Sequence, residues 1–229
     1  DFEKALAIGV HTLELDVGVT SDDVVVIGHD PALNPAITRD AAGRWLPTPG
    51  PAIRTLTWQQ LREYDVGRID PASAYAKTFA TQQAVDGTRM PRLSELFELV
   101  QRIGAGAVRF NIETKLSPLK PEETATPEVM VRELLKTIKA AGMTQRVSIQ
   151  SFDWRTLRLV QVQEPSIPTV YLSIQTANTD NTRAGVWTAG FTPEQHGSLP
   201  RMVKAAGDQV WSPNGGALTK SLLNGAQRP

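Results

Sequence analysis

The side chains able to do chemistry gather early in this chain. In the stretch HTLELDVGVTSDDVVVIGHD, residues 11–30, Glu14 and Asp16 stand two apart in an extended pattern, so both project from one side of a strand. Their neighbours Leu13, Leu15 and Val17 are apolar, which predicts a buried strand whose carboxylates need partners, and a divalent cation is a partner that two same-side acids can share. A second apolar run, Val24 to Gly28, then delivers His29 and Asp30 at its end, bringing a proton-transfer group toward the presumed cation. Two acids and a histidine on adjacent strand ends point to metal-assisted hydrolytic chemistry.

The elements that must position these groups read as an alternation. Strands are predicted at residues 12–19, 24–29, 108–114, 147–151, 168–172 and 209–211, and helices at 2–8, 93–103, 127–141 and 154–163. Most of the strands are nearly continuous apolar runs, which predicts a parallel sheet buried on both faces and an α/β fold, with a closed (β/α)8 TIM-type barrel as the leading architecture. Punctuation agrees: Gly9, Gly104 and Gly142 follow helical runs, and Ser94 or Pro91 opens the run at 93. Two places break the pattern. The link Ser21-Asp22-Asp23 is too short for a crossover helix, so a hairpin or an extended return is expected there. Residues 31–92, rich in Pro, Ala, Thr and Trp with one helical stretch at 58–64, read as an insertion covering the active-site end.

Composition bounds the function classes. The 229 residues and 41% hydrophobic content suit one domain. With 24 basic and 24 acidic side chains the net charge is zero, which argues against a nucleic-acid partner held by phosphate neutralisation. The absence of cysteine excludes disulfide scaffolds and thiolate zinc sites. No apolar run approaches the roughly 18 residues of a membrane span. The compartment and oligomeric state are not written in these residues; the long Pro/Thr-rich insertion and lack of cysteine lean toward a periplasmic or secreted protein.

Several blocks, in order, resemble the glycerophosphodiester phosphodiesterase family. Residues 9–30 resemble its signature of Glu-x-Asp followed by His-Asp. Gly67-Arg68 falls where the family often carries an inserted segment. Met90-Pro91-Arg92-Leu93-Ser94-Glu95 resembles its helix start, Phe110-Asn111-Ile112-Glu113-Thr114-Lys115 its Ile-Glu-x-Lys strand, and Gln150-Ser151-Phe152-Asp153 its next strand end. The resemblance implies metal-dependent hydrolysis of a small-molecule glycerophosphodiester to sn-glycerol 3-phosphate and an alcohol. It implies that Glu14, Asp16 and Glu113 bind Mg²⁺ or Ca²⁺, that His29 is one of two catalytic histidines, and that Lys115 contacts the phosphate. A related phospholipase-like enzyme, or a catalytically incomplete barrel that only binds phosphoesters, are the alternatives.

The family also has a first strand carrying His-Arg-Gly and a last strand with a Trp-Thr-Val-like sequence, and neither is present in these residues. An incomplete barrel over residues 1–229 is therefore expected, with the partner histidine outside it and two strand edges unpaired. Of the remaining polar candidates, Gln150 and Ser151 could donate to phosphate or cap a helix, and Trp211 could stack against the glycerol or alcohol moiety. Glu113 and Lys115 could form an ion pair as well as serve the site. His11 reads as packing toward a helix, and His196 as a solvated loop residue.

Overall fold

A computed structural model describes residues 2–207 and 210–217. Residue 209, placed in the last predicted strand, and residues 227–229, where the chain was expected to stop short of a final strand, lie outside the described residues. The strands are β1 (Thr12–Val19), β2 (Val25–Ile27), β3 (Arg109–Thr114), β4 (Val147–Ser151), β5 (Thr169–Ser173) and β6 (Val210–Pro213). The helices are α1 (Phe2–Ile8), α2 (Trp58–Leu61), α3 (Ala74–Thr78), α4 (Leu93–Arg102), α5 (Pro127–Ala140), α6 (Trp154–Gln163), α7 (Pro193–His196) and α8 (Leu199–Ala205).

Local chemistry accounts for the longer helices. Thr126 accepts from the Val129 N–H and Pro127 follows at the first helical position, so α5 starts where an amide donor would have been orphaned. Its Met130, Val131, Leu134, Leu135 and Ile138 are all buried, at helical spacing. Asp153 accepts from the Arg155 N–H to open α6. The start of α4 departs from expectation: neither Ser94 nor Pro91 caps it. Instead the Glu95 carboxylate reaches back to the Arg92 N–H at 2.8 Å, satisfying a free donor with a charged acceptor near the helix N-terminus.

The sheet runs in the order β2-β1-β3-β4-β5-β6. β1, β3, β4, β5 and β6 are parallel, and β2 pairs antiparallel with the end of β1. The expected parallel sheet holds for these five strands, and the hairpin expected at Ser21-Asp22-Asp23 adds an antiparallel edge strand that makes the sheet a mixed one. Thr20 N–H bonds Val24 O at 3.0 Å, and Asp23 takes φ +62°, a left-handed turn position that Asp tolerates. A return this tight can only reverse the chain. Among the described residues the sheet is open, with β2 and β6 at its edges, so the closed eight-stranded barrel is not seen in them.

Alternation sorts the faces. Leu13, Leu15, Val17 and Val19 of β1, Phe110 and Ile112 of β3, Val147 and Ile149 of β4 and Tyr171 of β5 are buried against the helices. Phe97 of α4 meets Phe110 edge-on at 5.0 Å, and Trp154 of α6 meets Tyr171 at 4.9 Å while donating to Leu172 O. Burying each such side chain contributes about 1.5–3 kcal/mol, so this one-sided core sets strand register, and register sets which polar residues meet on the other face.

The segment 31–92 has a small core of its own, in which Leu33, Ile53 and Leu61 gather with Val26. It lies against β2 and the C-terminal end of β1: a Cβ added at Gly18 would meet Ile53 at 3.7 Å, and Arg92 bridges to Val26. The helical stretch expected at 58–64 is the shorter α2, and α3, capped by Ser73, was not anticipated. No helix among the described residues is long and apolar enough to cross a membrane.

Candidate active site

Register aligns the polar positions of three neighbouring strands. Asp16 lies opposite Glu113, which lies opposite Gln150; in the next row Glu14 lies opposite Asn111, which lies opposite Ser148. These residues alternate with the core-facing ones, so they share the face turned away from the helices. Glu14, Asp16 and Glu113 each offer a carboxylate oxygen, all within 4.8 Å of one another. Glu14 is exposed, Asp16 half-buried and Glu113 only 7% exposed.

Three acids this close resist simultaneous ionisation. Burial, then the negative charge of Asp16, push the Glu14 carboxyl above its ordinary range. Burial likewise raises Glu113, against the opposing pull of Lys115. Lys115 Nζ lies 2.9 Å from Glu113 Oε1 and 3.7 Å from Asp16 Oδ1. The Lys115 N–H bonds Val17 O at 3.1 Å, continuing the parallel ladder one residue past β3 and so holding the lysine beside the acids. The cluster offers only oxygen ligands, with no sulfur or imidazole, which is the donor set hard cations take, and a second positive charge would relieve the repulsion. The cluster could therefore hold a divalent metal ion.

His29 arrives from the other side of β1. Gly28 N–H bonds Asp16 O at 3.0 Å, which brings the next residue to the acid end of the strand. The imidazole side chain is 69% exposed, and its Nδ1 lies 2.9 Å from Asp30 Oδ1. Asn34 donates to the other Asp30 oxygen at 2.8 Å. A carboxylate facing Nδ1 makes that nitrogen the proton carrier and leaves Nε2 free, so His29 presents an oriented proton acceptor to solvent.

Other sequence candidates are placed differently. Ser151 is buried, donating to Thr114 O and accepting from the Asp153 N–H, so its hydroxyl serves the turn into α6. Gln150 is buried with both ends of its amide bonded, to Glu14 and to Asn111. Trp211 pairs with Tyr171 on the helix side, packs against the main core and donates to Ser173 Oγ at 2.9 Å, so it does not join the carboxylate face. His11 is exposed at the start of β1 rather than packed under a helix, and it lines a cavity of about 530 Å³ with Glu3, Leu6 and Val108 at the opposite end of that strand. His196 ends α7 and stacks on Phe191 at 5.5 Å, correcting its reading as a solvated loop residue. Sequence reasoning missed Asn34, Asn111 and Ser148 as site-building residues. The last two carry a legible signal, because Asn111-x-Glu113-x-Lys115 and Ser148-x-Gln150 repeat the same two-residue period.

Comparison with known proteins gives one consistent answer. The model of the glycerophosphoryl diester phosphodiesterase family matches residues 1–212. The glycerophosphodiester phosphodiesterase of Caldanaerobacter subterraneus subsp. tengcongensis is 28% identical over 166 residues, which is 72% of this chain; the chain spans only 56% of that relative's length. A solved structure from Silicibacter pomeroyi, classed with the glycerophosphoryl diester phosphodiesterases, is 33% identical and superposes with a TM-score of 0.83 over 98% of this chain and 72% of its own. A phosphodiesterase from Oleispira antarctica, solved in complex with the product sn-glycerol-3-phosphate, is 17% identical with a TM-score of 0.61 over 97% of this chain and 71% of that one, a likeness of fold alone. The likeness gives the chain a TIM-like α/β barrel architecture, of which the described residues form an open, six-stranded part.

Proposed function

This chain belongs to the glycerophosphoryl diester phosphodiesterase family, and from that premise we propose that it hydrolyses glycerophosphodiesters to sn-glycerol 3-phosphate and an alcohol. The observation that carries the reading is the gathering of three carboxylates within 4.8 Å of one another, with Lys115 bonded to one of them. Glu14, Asp16 and Glu113 would hold a divalent cation, with Mg²⁺ or Ca²⁺ fitting the all-oxygen set. Such an ion supplies Lewis acidity to a phosphate oxygen and lowers the pKa of an attacking hydroxyl.

The chain's own residues do the rest. Lys115, hydrogen-bonded to Glu113 and on the rim of the cluster, offers a cation to a further phosphate oxygen as negative charge builds in the transition state. His29, oriented through Nδ1 by Asp30, takes or returns one proton at Nε2. Of the three histidines, His11 lies at the far end of β1 and His196 is stacked on Phe191, so His29 alone is assigned to proton transfer. The proposed product is the molecule bound in the Oleispira antarctica phosphodiesterase.

The test follows glycerol 3-phosphate release by full-length protein from glycerophosphocholine and glycerophosphoethanolamine. EDTA is expected to abolish turnover and Mg²⁺ or Ca²⁺ to restore it; turnover indifferent to chelation would overturn the metal role. His29→Ala is expected to lower kcat by about 10²–10⁴-fold, the usual contribution of a general acid or base. Its melting temperature should not move, because the ring is 69% exposed. A fully active His29→Ala variant would remove His29 from the reaction.

A further inference from the structure

One face of the sheet carries a hydrogen-bond chain that can run in only one direction. Ser148 Oγ lies 2.8 Å from Asn111 Oδ1, Asn111 Nδ2 lies 2.7 Å from Gln150 Oε1, and Gln150 Nε2 lies 2.7 Å from Glu14 Oε1. An ionised carboxylate has acceptors only, so Gln150 must present its amino group to Glu14. That leaves the Gln150 carbonyl facing Asn111, which must answer with its own amino group. The Asn111 carbonyl is then left to accept the Ser148 hydroxyl. Each amide is oriented by the next, and the charge at Glu14 sets the direction of the whole chain.

We infer that this ladder is a positioning device for the cation-binding face: Asn111 fixes which end of Gln150 meets Glu14, and Gln150 thereby holds Glu14 Oε1 in place and leaves Oε2 to a cation. The inference rests on the proposal that Glu14 is a metal ligand. Glu14 needs such support more than its companions do. It is the exposed member of the three, and the Lys115 ammonium bridges to Glu113 and Asp16 rather than to it. Gln150 is suited to the task because it is only 6% exposed and its backbone is locked between β3 and β5. The ladder steps from the Asp16–Glu113–Gln150 row back to the Glu14–Asn111–Ser148 row, tying together two rows of side chains that the backbone pairing alone leaves independent. It also takes Gln150 away from the phosphate-binding role expected from the sequence, since both ends of its amide are engaged.

The decisive variant is Asn111→Asp, read by calorimetric titration of Mg²⁺ and Ca²⁺ into full-length protein. An aspartate can still accept from Ser148 but cannot donate to Gln150, so it competes with Glu14 for the Gln150 amino group and the amide is no longer held toward Glu14. Cation binding is then expected to weaken by about 10–100-fold, the usual cost of losing an outer-shell partner. The sign is diagnostic, because an added carboxylate beside a cation site would, by charge alone, tighten binding. Gln150→Met should weaken binding similarly, and in that background Asn111→Asp should weaken it no further, since its effect passes through Gln150. Asn111→Asp binding as tightly as the parent, or weakening binding equally in both backgrounds, would overturn the ladder. Should Asn111→Asp fail to fold, undiminished binding by Gln150→Met overturns it instead. A parent protein that binds neither cation would overturn the metal site and the ladder's purpose together, which separates the two failures.

Discussion

Replacing Lys115 by Met separates the two jobs assigned to this side chain. Its ammonium sits 2.9 Å from Glu113 and 3.7 Å from Asp16. At an effective dielectric of about 20 these contacts amount to roughly 6 and 4.5 kcal/mol of attraction, against at least roughly 3.5 kcal/mol of repulsion for each of the three carboxylate pairs, which lie within 4.8 Å. Attraction therefore no more than offsets repulsion, and removing Lys115 leaves the repulsion uncompensated when no divalent cation is supplied. Breaking a fully buried ion pair from one side costs about 3–5 kcal/mol. Here the Lys115 side chain keeps 20% exposure and Glu113 can take up a proton instead, so about 2 kcal/mol is expected. For a chain of this size that lowers the melting temperature by about 4–8 °C in EDTA. Adding Mg²⁺ or Ca²⁺ should raise the variant's melting temperature more than the parent's, because no ammonium competes for the carboxylates. Turnover should fall all the same, since the phosphate contact is gone. Differential scanning calorimetry with and without cation tests this directly. Equal melting temperatures in EDTA, or a smaller cation-induced rise in Lys115→Met than in the parent, would refute the reasoning.

Two further outcomes follow from the same electrostatics and from packing. Because burial raises the carboxyls of Glu14 and Glu113, the folded state holds their protons more tightly than the unfolded chain. In EDTA their contribution to stability is therefore present below the ordinary value of 4.5 and is lost as pH rises through the raised range. Glu113→Gln should flatten that limb of a melting-temperature profile, and a profile unchanged by the substitution would show that the cluster is not its source. In the segment 31–92, a Cβ at Gly67 would fall 1.8 Å from the Val85 carbonyl oxygen, where backbone must move. Gly67→Ala should cost about 1–3 kcal/mol and open the 65–87 region to limited proteolysis, and a variant that resists protease like the parent would count against this packing.

How much of this was legible beforehand differs from element to element. Residues 147–151 and 154–163 emerge with the bounds expected, because the alternating Val147 and Ile149 followed by Asp153 and an amphipathic stretch state strand, cap and helix locally. The short helices α3, α7 and α8 were not anticipated; in four to seven residues there is too little periodicity to register, and packing or a single cap decides. The face occupied by Trp211 could not be read, since Val210-Trp211-Ser212-Pro213 offers no clean alternation, and pairing with Tyr171 turned the indole toward the helices.

The carboxylates divide the same way. A two-residue spacing on one strand is a local property, so Glu14 with Asp16, and Glu113 with Lys115, were visible as same-side pairs from the order of residues alone. Bringing the two pairs together depends on the register of β1 against β3, set by which apolar side chains of each strand interlock with the helices almost a hundred residues away in sequence. The same holds for the direction of the Gln150 amide, which depends on a charge on β1 and a hydroxyl on its own strand. The amino-acid order determined which groups were available and on which side of each strand they stood. Tertiary packing decided which of them met, because the distances that govern coordination and hydrogen bonding are a few ångströms, and only the buried core fixes neighbouring strands to that precision.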